Sequence, residues 1–291
     1  MPPAGVIMAY PRLVPQPQRR FAASTMRDPF LKKSLGQHHL RSGALCRPLI
    51  DYLRPAGSRV LEIGPGGGVL TVELAAAGGR VLGCEVDLAW AFELRRRLAR
   101  RDFAAGTPQV AALDALSLDW RRLPAPTLVA GNLPFSVATR LIERLLPHAA
   151  RVPRAAFMVQ KEVAERLVAR PGEAAYGAFS VLAAAQAEAR LLATVRPGSF
   201  HPPPKVAAAF VGLELRAPPL AAGEMDDFAR LVRAAFALRR KTLRNSLASG
   251  LGRRRSAELL GEMGWDARRR AQELGLEEFI ELFAAYRRLS G

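Results

Sequence analysis

The densest chemical signal in this 291-residue chain is Glu62-Ile63-Gly64-Pro65-Gly66-Gly67-Gly68. It closes one short apolar run and opens a helix-like segment. Glycines in that place let the backbone turn sharply and approach a ligand closely. Acidic Glu85 ends the next apolar run, 21 residues after Gly64. In doubly wound folds an acid at that point accepts hydrogen bonds from both hydroxyls of a ribose. Asp114-Ala115 follows the third run, where a carboxylate can receive an adenine amino group. A plain glycine-rich turn would leave both later acids without a role.

The glycine spacing is G-x-G-x-G, not the G-x-G-x-x-G of dinucleotide enzymes. A dinucleotide brings a pyrophosphate that wants a helix N-terminus. S-adenosylmethionine (SAM) brings none, and Glu62 ahead of the glycines, with Gly64 and Gly66 at the turn, suits its cationic methionine end. A second signal, Gly131-Asn132-Leu133-Pro134-Phe135, follows the fourth apolar run. Alone it reads as a β-turn; at the C-terminal edge of a parallel sheet it stands where ligands bind. Its chemistry suits methylation of an exocyclic amine. The Asn132 side-chain oxygen and the Leu133 carbonyl can accept the two N–H bonds. Pro134 stiffens the turn, and Phe135 offers a face to a flipped base.

These residues must be positioned by alternating strands and helices. Arg59–Gly64, Arg80–Val86, Gln109–Leu113, Thr127–Gly131 and Ala155–Gln160 have strand length, with helix-like Leu70–Ala77 and Leu88–Arg100 between them. The alternation predicts an α/β fold, a doubly wound and mostly parallel sheet with helices on both faces. The pattern changes at the linker-like stretch Arg216–Gly223. Beyond it Phe228, Leu231, Val232, Ala235 and Phe236 recur with helical period. The expected organisation is a tail or mis-assigned start over 1–26 (Met8 and Met26 being alternative starts), a methyltransferase domain over 27–215 and a small helical domain over 216–291.

Composition narrows the partner. The chain carries 43 Lys plus Arg against 26 Asp plus Glu, a net charge of +17, which favours a polyanion. Codon bias is the competing source, since only five of the basic residues are lysine. The excess is densest in residues 1–60, with ten basic and two acidic side chains. No stretch approaches the roughly 20 apolar residues of a membrane span. Cys46 and Cys84 cannot by themselves make a disulfide framework or a zinc site, and both read as packing residues. A cytoplasmic monomer without metal or membrane is expected.

With these residues in view the chain resembles the KsgA/RsmA family of small-subunit rRNA adenine N6,N6-dimethyltransferases. The resemblance runs from about Lys32 to the C-terminus. It rests on separated blocks: LKKSLGQHHL (31–40), VLEIGPGGGVLT (60–71), CEVD (84–87), DAL (114–116), GNLPFSVAT (131–139), VQKEVAERL (159–167), AYG (175–177), FHPPPKV (200–206) and RRKTLRNSL (239–247). The last two separate this group from relatives that methylate large-subunit rRNA. The resemblance implies a seven-stranded SAM-methyltransferase sheet and SAM as cofactor. It implies cofactor contacts at His38, Leu40, Gly64, Glu85, Asp114 and Asn132, and a target-base site at Asn132 to Phe135. It also implies two methyl groups on each of two adjacent adenosines near the 3′ end of 16S rRNA.

Two departures stand out. His38 and His39 replace the Asn-Phe usual before Leu40; a histidine there predicts activity that falls at acid pH. Phe135 stands for the usual Tyr, keeping the stack and losing the hydroxyl. All five lysines, Lys32, Lys33, Lys161, Lys205 and Lys241, fall inside the blocks. Lys32, Lys33, Lys205 and Lys241, with Arg239 and Arg240, are the expected rRNA phosphate contacts. Phe200 is expected as a loop anchor near the target site. The rivals are a non-catalytic assembly factor that binds rRNA with a retained fold, and a large-subunit rRNA adenine methyltransferase.

Overall fold

The computed structural model describes residues 39–221, 223–266 and 268–289. Its elements in chain order are β1 (His39–Leu40), α1 (Arg47–Leu53), β2 (Arg59–Ile63), α2 (Val69–Ala76), β3 (Arg80–Glu85), α3 (Leu88–Leu98), β4 (Gln109–Ala112), β5 (Thr127–Asn132), α4 (Ala138–Leu145), β6 (Arg154–Gln160), α5 (Lys161–Val168), α6 (Ala178–Ala184), β7 (Ala187–Val195), β8 (Phe200–His201) and β9 (Ala208–Leu215). Four helices follow: α7 (Met225–Ala235), α8 (Leu243–Leu251), α9 (Arg253–Met263) and α10 (Leu276–Arg288).

Seven strands form one sheet in the order β4-β3-β2-β5-β6-β9-β7. The strands from β4 to β6 run parallel, and β9 runs antiparallel to β6. The expected doubly wound, mostly parallel sheet is therefore present. Chain order reverses between β2 and β5, which are neighbours, so a crevice opens at their carboxyl ends. The four expected segments that end there, after residues 63, 85, 112 and 132, carry the glycine turn, Glu85, Asp114 and the NLPF turn. The two central strands lie so close that a Cβ on Gly131 would stand 2.6 Å from the Ile63 carbonyl oxygen. Only glycine fits there.

A separate short ladder pairs β1 with β8. Arg41 extends it, donating its backbone N–H to the Ser199 carbonyl at 3.0 Å and its Nε–H to the Phe200 carbonyl at 3.0 Å. Leu40, Leu49, Leu74, Met158, Phe200 and Phe210 are among the buried side chains between the sheet and its α1–α2 cover.

The chain divides into two compact units. Among the described residues, one comprises 39–160 with Leu192–Leu215; the other comprises Lys161–Leu191 with 216–289. The sequence reading drew one boundary after 215; the packing instead groups α5 and α6 with the C-terminal helices. The reason is physical: Tyr176, Val181 and Leu182 are buried with Phe228, Leu231, Phe279 and Phe283. The Tyr176 hydroxyl also donates to the Leu274 carbonyl at 2.8 Å. The helical period read at Phe228, Leu231, Val232 and Ala235 matches the buried face of α7.

Candidate active site

The carboxyl ends of β2, β3, β4 and β5 surround a cavity of about 270 Å³. Leu40, Glu62, Gly64, Gly66, Glu85, Asp114, Asn132, Leu133, Pro134 and Phe135 all line it. Residues up to 160 positions apart in sequence, from Leu40 to Phe200, thus meet on one concave surface. His38, Lys32 and Lys33 lie outside the described residues. Lys205, Arg239, Arg240 and Lys241 are exposed and do not line this cavity. Arg239 donates to the Ala174 carbonyl. Apolar lining missed from the sequence comes from Val86, Leu116, Val137 and Leu141. Val86 directly follows Glu85 and is 55% exposed, so the acid at a strand end was itself the signal that could have found it. Phe200, expected as an anchor, is 1% exposed and lines the cavity too.

The glycine turn owes its shape to backbone that side chains resist. Gly64 and Gly66 take φ of +67° and +49°. This aims the Gly66 N–H at Glu85, whose Oε2 accepts it at 2.9 Å. The other oxygen, Oε1, accepts the Asp87 N–H at 2.9 Å. Both are charge-assisted bonds, and they lock the first loop to the start of α3. Each oxygen retains a second lone pair for a hydroxyl. Asp114 is exposed, and its Oδ1 holds the Leu116 N–H at 2.9 Å, so the carboxylate is oriented before any ligand arrives.

The NLPF turn is equally fixed. Leu133 donates its N–H to the Met158 carbonyl at 3.0 Å, and the Pro134 carbonyl accepts from Val137 and Ala138, each at 3.1 Å. Leu133 is buried beneath, whereas Asn132, Pro134 and Phe135 are half-buried at the surface of the cavity.

Glu62 is 1% exposed, and its Oε2 has no hydrogen-bond partner among the described residues. Burial pushes its carboxyl up to about 8; the Thr71 hydroxyl opposes this and the charge of Glu85 adds to it. A cationic ligand group would relieve that cost directly. In its absence the folded chain keeps the Glu62 proton over the window from 4.5 to about 8, while the unfolded chain releases it. Folded protein binds more protons there, so this group makes stability fall as pH rises through the window. Urea midpoints taken at about pH 5 and about pH 8 should drop further in the parent than in Glu62→Gln, which cannot ionise; equal drops would contradict the reading.

Thiol chemistry finds no support. Burial first, then the charges of Glu85 and Asp114, pushes the Cys84 thiol up to about 12. Burial, with Glu73 and Glu62, does the same to Cys46. Both stay protonated and pack as small hydrophobes. Among the described residues no cluster of His, Cys, Asp and Glu is able to hold a metal, and no helix is long and apolar enough to cross a membrane.

The arrangement can therefore bind and orient rather than attack. It offers a buried carboxyl for a cation, a fixed carboxylate for a diol, a second for an amine, and a rigid polar-aromatic turn for a flat base. The sequence and the fold both have known counterparts. Residues 30–287 match the family described as ribosomal RNA adenine dimethylase. A protein of Rubrobacter xylanophilus named ribosomal RNA small subunit methyltransferase A is 41% identical over 265 residues, which is 91% of this chain and 97% of that one. The crystal structure of a dimethyladenosine transferase from Plasmodium falciparum has a TM-score of 0.72 at 23% identity, covering 86% of this chain and 98% of that one. That likeness speaks for the fold alone. The crystal structure of the 23S rRNA methyltransferase ErmE has a TM-score of 0.64 at 25% identity, covering 85% and 99%.

Proposed function

The chain belongs to the ribosomal RNA adenine dimethylase family, and from that premise we propose that it places two methyl groups on N6 of each of two adjacent adenosines near the 3′ end of small-subunit rRNA, using SAM. The observation that carries this is the single cavity onto which the glycine turn, Glu85, Asp114 and the NLPF turn all open. The fold does not choose between ribosomal subunits, because the 23S rRNA methyltransferase shares it. The choice rests on the relative named for the small subunit and on the blocks FHPPPKV and RRKTLRNSL.

The residues present fit SAM. The orphaned Glu62 Oε2 asks for a donor or a positive charge, which the methionine end has. Glu85 would take the ribose hydroxyls and Asp114 the adenine amino group. Gly64 and Gly66 let the backbone approach, and Leu40, Val86 and Leu116 would enclose apolar surface. When bound, SAM supplies a methyl group on a sulfonium, a good leaving group. The protein's own task is to present the amine. Asn132 Oδ1 and the Leu133 carbonyl accept its N–H groups, which strips competing water and aims the nitrogen's lone pair. Pro134 holds the turn, and Phe135 stacks the flipped base. No strong base is needed before attack, so positioning and desolvation carry most of the rate.

The test is incubation with methyl-labelled SAM and small-subunit particles that lack these methyls, beside protein-free large-subunit RNA. Label on two neighbouring adenosines of the small-subunit RNA is the expected result. Label on large-subunit RNA alone, or tight binding without transfer, would overturn the assignment.

A further inference from the structure

Below the active-site cavity the same two elements build a second depression. The turn Ala115–Ser117 and helix α4 wall the first cavity through Leu116, Val137 and Leu141. They continue into a pocket of about 430 Å³ lined by Ser117, Asp119, Trp120, Arg121, Arg144 and His148. We propose that this pocket is a subsite for a backbone phosphate of the RNA strand whose adenosine enters the cavity. The proposal rests on the rRNA methylation reading above and adds a contact that reading does not contain.

Spacing supports it. At about 1.5 Å per residue, Arg144 stands roughly 10 Å along α4 from Val137 at the cavity wall. That is about three nucleotide rises of roughly 3.4 Å along one strand. A strand leaving the cavity along α4 brings a phosphate to this point.

Chemistry supports it independently. Arg144 is exposed and has no ion pair among the described residues. Among the described residues Arg121 pairs only with Asp119, at 3.1 Å, and its side chain is 81% exposed. An exposed pair of that kind is weak and easily exchanged for a phosphate. Trp120 is 2% exposed, and among the described residues its Nε1–H has no acceptor. The indole stacks on the His148 imidazole, with ring centroids 6.3 Å apart and planes 21° from parallel, giving the pocket a firm wall.

The imidazole also registers the local field. Burial holds His148 below its ordinary value; Asp119 opposes this, and Arg121, Arg151 and Arg144 all press the same way as burial. Arg121, Arg144 and Arg151 thus all lie near enough to the ring to act on it, beside the carboxylate of Asp119. A merely solvated basic face would not be concave or walled by a buried indole.

The experiment measures binding of a small-subunit rRNA 3′ fragment across a salt series, with methyl transfer in parallel. The variants are Arg121→Gln, Arg144→Gln and the double. Arg47→Gln, with an exposed arginine on α1, is the control for net charge. Each subsite substitution should reduce the salt slope by roughly 0.7 to 1 and weaken binding several-fold. KM for the particle should rise while kcat stays within about twofold, as expected for lost uniform binding. Slopes equal to that of Arg47→Gln, or a fall confined to kcat, would overturn the proposal. If the parent itself transfers no methyl, the methylation reading fails, and the salt slopes still decide the phosphate subsite.

Discussion

Asn132→Ala should lower the rate of methyl transfer by roughly 100- to 1000-fold, the range found when one preorganised polar contact to a reacting group is lost. The side chain stands at the end of β5, half-buried at the cavity surface, between buried Gly131 and Leu133. Those neighbours hold the strand end. Leu133 keeps its bond to Met158, and the Pro134 carbonyl keeps both of its donors. Truncation therefore removes an oxygen without releasing the turn. With only the Leu133 carbonyl left, the amine is held by one N–H and can rotate away from the line of attack. Single-turnover transfer at saturating SAM and particle is the measurement, with the urea midpoint as the check on folding. A loss of less than about tenfold in a folded variant would remove Asn132 from the reaction, since it lies below the range for such contacts.

Glu85→Ala should raise the dissociation constant for SAM by roughly 10- to 100-fold, in keeping with about 1.5–3 kcal/mol for hydrogen bonds to a charged group. Two losses combine. The ribose hydroxyls lose their acceptor, and the Gly66 and Asp87 N–H groups lose theirs. The glycine turn is then free to leave its ligand-ready shape. Glu85→Gln is expected not to rescue binding, because an amide has one accepting oxygen and would point N–H groups at the second backbone donor. Calorimetric titration separates the cases. Affinity within about threefold of the parent in Glu85→Ala would show that the acid is only a loop staple, as a change of that size is below one such bond.

The reason these residues could be found in sequence is geometric. Parallel strands finish on one edge of a sheet, so any acid or glycine that ends an apolar run is delivered to that edge. Glu62, Glu85, Asp114 and Asn132 are all in such places, and the strand ends fell within one or two residues of those read from the apolar runs. Side chains that enter from helix faces carry no such mark. Val137 and Leu141 read as ordinary core positions of an amphipathic helix, yet they line the cavity. The packing of residues 161–191 with the C-terminal helices was hidden for a related reason. Tyr176 reaches a carbonyl 98 positions away, and no local pattern announces such a bond. The arginine run Arg95–Arg97 reads as a solvated face, but Arg96 and Arg97 hold the buried Glu93 at 2.9 and 2.7 Å, and Arg95 donates to the Val110 carbonyl at 2.6 Å. All three arginines of that run thus make bonds within the fold, which spacing alone does not reveal.

The ladder of β1 with β8 carries a consequence for the make-up of the cavity wall. Most of the cavity wall hangs from central strands that cannot part without unfolding the sheet. The other side, Leu40 and Phe200, pairs across that ladder among the described residues, with Arg41 bonded to the Phe200 carbonyl, and both side chains are buried in the core beside α1 and α2. The cavity wall is therefore drawn from two separately paired pieces of backbone, the parallel sheet and the β1–β8 ladder, joined through one apolar core.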